Sequence, residues 1–190
     1  MEKEFWLTST GKRIKLFPHQ KRILNEMFRI EDGKLAYSTM VYSAPKKSGK
    51  TEVAAAVTYA FARIYGGEMY SIANDEEGAK NRMYDRMVQS LSLMRSKDPK
   101  TFDEVMPADK RRRERIALSN TILFAQGKQK NFGPHSLRYV ASDYAGEAGS
   151  MNALCVFDEL WGISSERGER LWTEFQPIWN LEASIRFVTT

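Results

Sequence analysis

The chain has 190 residues, 42% of them apolar and 28% charged, with a net charge of +5 and a pI near 9.3. That is the size of a single domain with enough apolar material for a core, which excludes a disordered chain, and the mild basic excess suits a polyanionic partner. The lone cysteine, Cys155, excludes an intrachain disulfide; the start Met1-Glu2-Lys3-Glu4-Phe5-Trp6 lacks a signal-peptide layout, and the longest apolar stretch, Val53 to Ala62, is too short to cross a bilayer, so an intracellular protein without a membrane partner is expected.

Residues 1–16 are mixed and polar, with a turn at Thr8-Ser9-Thr10-Gly11-Lys12. Pro18 suits a first helical position, and Ile23, Leu24, Met27 and Phe28 recur at helical spacing, so a helix is expected there, ended by Asp32-Gly33. Tyr37 to Tyr42 is β-leaning, and Ala44 to Gly49 reads as a loop. Lys50 to Tyr65 follows as a helix with Val53, Val57, Ala60, Phe61 and Ile64 on one face and Gly66-Gly67 as its stop. Met69 to Ala73 reads as a strand. Asn74 or Asp75 can cap the next helix, along which Ala79, Met83, Met87 and Leu91 fall four apart as far as Asp98-Pro99.

Residues 99–114 are polar and expected to be irregular. Arg115 to Leu118 and Thr121 to Ala125 suggest a hairpin turning at Ser119-Asn120. Leu137 to Ala141 reads as a strand between two loops, 127–134 and 143–152. Ala153 to Phe157 is a continuous apolar run, the mark of a buried central strand. Leu171, Trp172, Phe175, Ile178 and Trp179 suggest a helix, and Ile185 to Val188 a last strand. Strands alternating with helices predict one α/β domain over 1–190, with a mostly parallel central sheet flanked by helices.

Two segments carry chemistry. Ala44-Pro45-Lys46-Lys47-Ser48-Gly49-Lys50-Thr51 is close to the P-loop pattern G-x-x-x-x-G-K-[S/T], with Ala44 replacing the first glycine. Strand before and helix after are the required context: loop amides and a helix N-terminus face phosphates, Lys50 meets the β and γ phosphates of ATP, and Thr51 gives its hydroxyl to Mg²⁺. The second is Ala153-Leu154-Cys155-Val156-Phe157-Asp158-Glu159, a buried strand ending in two acids, as a Walker B motif requires. Asp158 would hold Mg²⁺, and Glu159 would act as general base on the attacking water. That Asp-Glu pair points to the additional-strand, catalytic-glutamate branch of P-loop NTPases. Gln20, after Phe17-Pro18-His19, is either a surface glutamine or an amide reading adenine beside Phe17; the P-loop downstream favours adenine. Residues 1–34 are thus expected on the adenine side. Thr189 and Thr190 end a predicted strand, and either sense the γ-phosphate or begin a loop.

These residues resemble phage terminase large subunits. Pro45 to Thr51 is similar to their variant Walker A, Leu137 to Ser142 with Gly149 to Asn152 and Val156 to Leu160 to their approach to Walker B, Phe17 to Gln20 to their adenine region, and Thr189-Thr190 to their coupling motif. The resemblance covers roughly residues 15–190. It implies the ATP-driven motor half of an enzyme that pumps double-stranded DNA into a procapsid. The implied partners are DNA, further copies of the chain in a ring, a portal protein and a small terminase subunit, in the host cytoplasm. The resemblance also implies that the nuclease domain is not in this chain. Many members carry arginine near Lys46; lysine supplies charge but no bidentate fork, so Lys46 in cis or an arginine in trans, with Arg138 as candidate, is left open.

The basic cluster Lys110, Arg111, Arg112, Arg113 and Arg115 reads as a DNA or subunit contact or as a solvated charge run. His19 and His135 lack metal-site spacing. Trp161, Trp172 and Trp179 read as core, and Cys155 as a buried small residue. A helicase-type DNA-translocating ATPase would share every site residue, and a non-catalytic interaction module with a degenerate P-loop is the other alternative.

Overall fold

A computed structural model describes residues 1–73, 75–109, 114–125, 135–141, 151–159, 165–179 and 181–190. In chain order the elements are β1 (Trp6–Leu7), β2 (Lys12–Arg13), α1 (Pro18–Met27), β3 (Ile30–Glu31), β4 (Lys34–Leu35), β5 (Thr39–Tyr42), α2 (Lys50–Ile64), β6 (Glu68–Ala73), α3 (Glu76–Ala79), a π-helical turn (Lys80–Tyr84), α4 (Asp85–Lys97), α5 (Pro99–Val105), β7 (Ala117–Leu118), β8 (Thr121–Leu123), β9 (Ser136–Ala141), β10 (Asn152–Asp158), α6 (Ser165–Glu174) and β11 (Ile185–Thr189).

The apolar run ending in Asp158 forms β10, buried at every residue. A strand covered on both faces has no polar side, so it shows no apolar–polar alternation. It lies inside a seven-stranded sheet of order β5-β11-β10-β6-β9-β8-β7. Neighbours from β5 to β9 run parallel, and β8 and β7 extend the sheet antiparallel. Alternate side chains of β10 serve opposite faces: Leu154 and Val156 enter the larger core, while Cys155 and Phe157 enter a smaller one with Tyr70, Leu171 and Phe175. Helices α2 and α4 cover the first face and α6 the second. The result is the expected mostly parallel sheet flanked by helices. β11 is inserted between β5 and β10.

Helix α2 departs from the expected one-sided pattern. Every residue from Val53 to Ala62 is buried, whereas Ile64, expected on the core face, is 46% exposed. Small alanines let a helix approach its neighbours on several sides, and a helix apolar all round is a buried one.

Four further expectations change. Asp32-Gly33 does not end the first helix, which stops at Met27; both residues have positive φ, 49° and 77°, and turn the β3–β4 hairpin. The helix expected through Ala79, Met83, Met87 and Leu91 buries all of these side chains but is broken at the π-helical turn. Asp75 caps its start, its Oδ1 accepting from the Gly78 amide at 2.6 Å. Residues 99–105 are helical, with Asp98 as N-cap and Pro99 in the first turn. Finally, α6 ends at Glu174, and Trp179, expected in the core, is 84% exposed.

Trp172 does pack inward, over Phe157, and its ring carries the Arg186 guanidinium at 3.8 Å. Arg186, buried in β11, donates to the carbonyls of Trp172 (2.6 Å) and Phe175 (3.1 Å), satisfying acceptors at the end of α6. Cys155 is fully enclosed, and burial pushes its thiol pKa upward.

Candidate nucleotide site

The parallel strands bring three segments together at their carboxyl ends. Tyr42 ends β5 and leads through residues 43–49 into α2. Gly49 caps α2 at φ 80°, in the left-handed region, and a Cβ there would meet nothing within 4 Å. Lys47 is also left-handed, at φ 65°. Backbone of this kind presents amides rather than side chains, and the fifteen-residue α2 adds its N-terminal dipole. Lys50 Nζ donates to the carbonyls of Ala44 (2.7 Å) and Pro45 (3.2 Å), so the ammonium lies across the mouth of its own loop. Thr51 stands beside it in the first turn of α2, Ser48 Oγ is buried without a partner among the described residues, and Lys46 is exposed.

Asp158 is the last residue of β10 and lies in register with Thr189 of β11. The Thr189 hydroxyl donates to Asp158 Oδ1 at 2.5 Å, while Asp158 Oδ2 is buried with no hydrogen bond among the described residues. Glu159 follows at φ 56°, a left-handed conformation that non-glycine residues seldom take and that often marks active sites. Its amide donates to the Thr189 carbonyl at 3.1 Å. One residue on, Thr190 reaches the other strand. Its amide donates to the Tyr42 carbonyl (3.2 Å), its carbonyl accepts from the Ala44 amide (3.3 Å), and its hydroxyl donates to Ser43 Oγ (2.9 Å). Thr189 and Thr190 therefore tie the acid pair to the entrance of the 43–49 loop.

Gln20 lies behind that entrance and is 5% exposed. Its Oε1 accepts from the Phe17 amide (2.9 Å) and its Nε2 donates to the Tyr42 hydroxyl (3.3 Å). Phe17 is 61% exposed and stacked on His19, with ring centroids 5.8 Å apart. Arg138 sits mid-strand in β9, opposite Tyr70, which in turn pairs with Cys155, three positions before Asp158. Its register places it away from the strand ends that gather the other residues. His135 is buried beside α2's terminus, its Nδ1 accepting from the Gly67 amide at 2.9 Å, and burial lowers its pKa. Lys110 to Arg113 and Trp161 lie outside the described residues; Arg115 is exposed.

One residue of the cluster was not legible in the sequence. Arg82, in the π-helical turn, reaches Glu159 Oε2 with NH1 at 2.7 Å and lies 3.8 Å from Asp158 Oδ2. Four residues on, Arg86 Nε faces Glu52 Oε1 at 3.4 Å, beside Thr51. Burial raises the Glu52 carboxyl pKa, and Arg86 partly opposes this. The spacing of two arginines four apart is a helix-face signal, but nothing in it names their acidic partners.

The residues present fit a magnesium ion. Mg²⁺ usually takes one or two carboxylates, waters and substrate oxygens rather than a dedicated cage. Among the described residues no group of three or more His, Cys, Asp or Glu gathers, whereas Asp158 offers a buried oxygen that makes no hydrogen bond there.

Strand order and loop placement together make this a P-loop NTPase fold with an additional strand between phosphate loop and acid pair. Among solved structures, that architecture is shared by ATPase domains of phage large terminases. The HK97 bacteriophage large terminase superposes on the whole of this chain with a TM-score of 0.66 at 16% identity. The Thermus phage P74-26 large terminase ATPase domain matches 93% of the chain with a TM-score of 0.53 at 18% identity. An arginine-to-alanine mutant of that domain matches the same share with a TM-score of 0.52 at 14% identity. The chain spans 36% of the HK97 protein, and 64% and 65% of the two P74-26 chains. No family model and no curated protein matches the sequence. No helix among the described residues is long and apolar enough to cross a membrane.

Proposed function

We propose that this chain is the ATP-hydrolysing motor domain of a viral DNA-packaging terminase large subunit, coupling ATP hydrolysis to movement of double-stranded DNA into a procapsid. The observation that carries the reading is the link from Asp158 and Glu159 through Thr189-Thr190 to Ala44 and Ser43. An ATPase that only binds nucleotide needs a phosphate loop and a metal-binding acid. A motor also needs hydrolysis at one to be felt at the other, and a strand wedged between them, bonded to both, is suited to that.

In this reading the amides of Pro45 to Gly49 and the α2 N-terminus receive the phosphates. Lys50 exchanges the Ala44 and Pro45 carbonyls for β and γ oxygens, a stronger charge-assisted bond. Thr51 and Asp158 would hold Mg²⁺, which when bound neutralises charge on the phosphate oxygens. Glu159 orients the attacking water and takes its proton. Gln20 would read adenine by giving up its bond to Phe17 or Tyr42, with Phe17 as a stacking face. Lys46, or an arginine such as Arg138 from a neighbouring copy, would meet the γ-phosphate. The partners are then duplex DNA, other copies in a ring, the portal and the small subunit, in the host cytoplasm.

Equilibrium binding of ATP·Mg²⁺ and phosphate release with and without duplex DNA test this directly. Lys50→Ala should lose nucleotide binding at least tenfold, and duplex DNA should change the wild-type rate. Unchanged affinity in Lys50→Ala contradicts the phosphate-loop assignment, and DNA-indifferent release contradicts the motor.

A further inference from the structure

Arg82 lies outside every motif named so far. Its backbone is non-helical (φ −93°, ψ −106°) inside a π-helical turn that interrupts the helical path from Glu76 to Lys97. Such turns are rare and concentrate at functional sites, and sparsely populated backbone is unfavourable by itself. Ala79, Met83, Tyr84 and Met87 are buried on both sides of Arg82.

What the break does is aim a cation at the acid pair. Arg82 NH1 donates to Glu159 Oε2 at 2.7 Å. Among the described residues no other hydrogen bond reaches the Glu159 carboxylate. The same guanidinium is 3.8 Å from the buried, unbonded Asp158 Oδ2. The Arg82 side chain is 40% and that of Glu159 37% exposed. An ordinary exposed pair of this kind adds little to stability, less than strained backbone at both partners costs.

Resting on the nucleotide reading above, we propose that Arg82 is a positioning residue for Glu159. It holds one carboxylate oxygen, fixes the rotamer of a side chain that its left-handed backbone leaves otherwise unsupported, and keeps the second oxygen available to water. It also balances the negative charge at the end of β10. Geometric control of this kind acts on turnover rather than on substrate affinity, because a base held slightly out of place costs rate without loosening phosphate contacts.

The test uses the purified chain, with ATP·Mg²⁺ affinity by equilibrium titration and single-turnover hydrolysis for wild type, Arg82→Ala, Arg82→Lys, Glu159→Gln and Arg82→Ala/Glu159→Gln. Thermal melts check that each variant is folded. Arg82→Ala is expected to slow hydrolysis at least tenfold with affinity within threefold of wild type. Arg82→Lys, which keeps charge and reach but not the planar fork, should recover part of that loss. The double variant should be no more than twofold slower than Glu159→Gln alone. Wild-type hydrolysis in a folded Arg82→Ala, a tenfold loss of affinity, or additive losses in the double variant would overturn the assignment of Arg82 while leaving the nucleotide site standing. A wild-type chain that neither binds nor hydrolyses ATP would remove the nucleotide reading itself.

Discussion

Asp158 shows how one residue can be both costly and useful. A buried carboxylate with one oxygen unbonded is unfavourable by itself, and folding tolerates it because the other oxygen accepts the Thr189 hydroxyl. Thr189→Val keeps the shape and removes the donor, leaving Asp158 without a direct hydrogen bond among the described residues. The expected loss is about 1–3 kcal/mol, the usual cost of orphaning a buried polar group, read as a lower urea midpoint at unchanged slope. An unaltered midpoint would mean that Asp158 finds water or another donor instead. At this scale residue type and motif order were enough to single out Lys50, Thr51, Asp158 and Glu159 as candidates, and the fold gathers them at the carboxyl ends of the parallel strands. The sequence was silent on Arg82, because that contact joins positions 77 apart and depends on a backbone break that no periodicity announces.

Among the elements, α2 links motif to core. Its first turn follows the 43–49 loop, its middle is buried throughout, and its end is set by Gly66, whose amide donates to the Phe61 carbonyl at 3.0 Å. Gly66 has φ 72°, and a Cβ there would fall 1.5 Å from His135 Nδ1. Gly66→Ala therefore combines backbone strain with a collision against a buried ring. It should destabilise the fold by more than about 1 kcal/mol in chemical denaturation, and a neutral result would require His135 to move freely. Strand and helix types were mostly legible because β10, β11, α2 and α4 carry strong apolar patterns. The misses have local causes. Asp32-Gly33 is equally a helix stop and a hairpin turn, and Asp98-Pro99 both ends α4 and opens α5. Trp179 continues the apolar spacing of α6 but falls beyond the helix, on the surface with Lys34 Nζ 5.5 Å from its ring centroid.

For the whole molecule, the fold follows from one topological choice. Placing β11 between β5 and β10 brings the 43–49 loop, the acid pair and Thr189-Thr190 to one edge of the sheet, where ligands of open α/β folds bind. Alternating strands and helices predicted the sheet, but strand order is a long-range property and had to come from the three-dimensional arrangement or from resemblance. Likeness to terminase ATPase domains at 14–18% identity speaks for the architecture. The most direct measurement is single-turnover ATP hydrolysis by the Glu159→Gln chain, with bound nucleotide followed in parallel. Wild-type-like ATP·Mg²⁺ binding is expected, with a hydrolysis rate reduced by about 10²-fold or more, the usual contribution of a general base. Hydrolysis at the wild-type rate with ATP bound would contradict the assignment of Glu159 as that base.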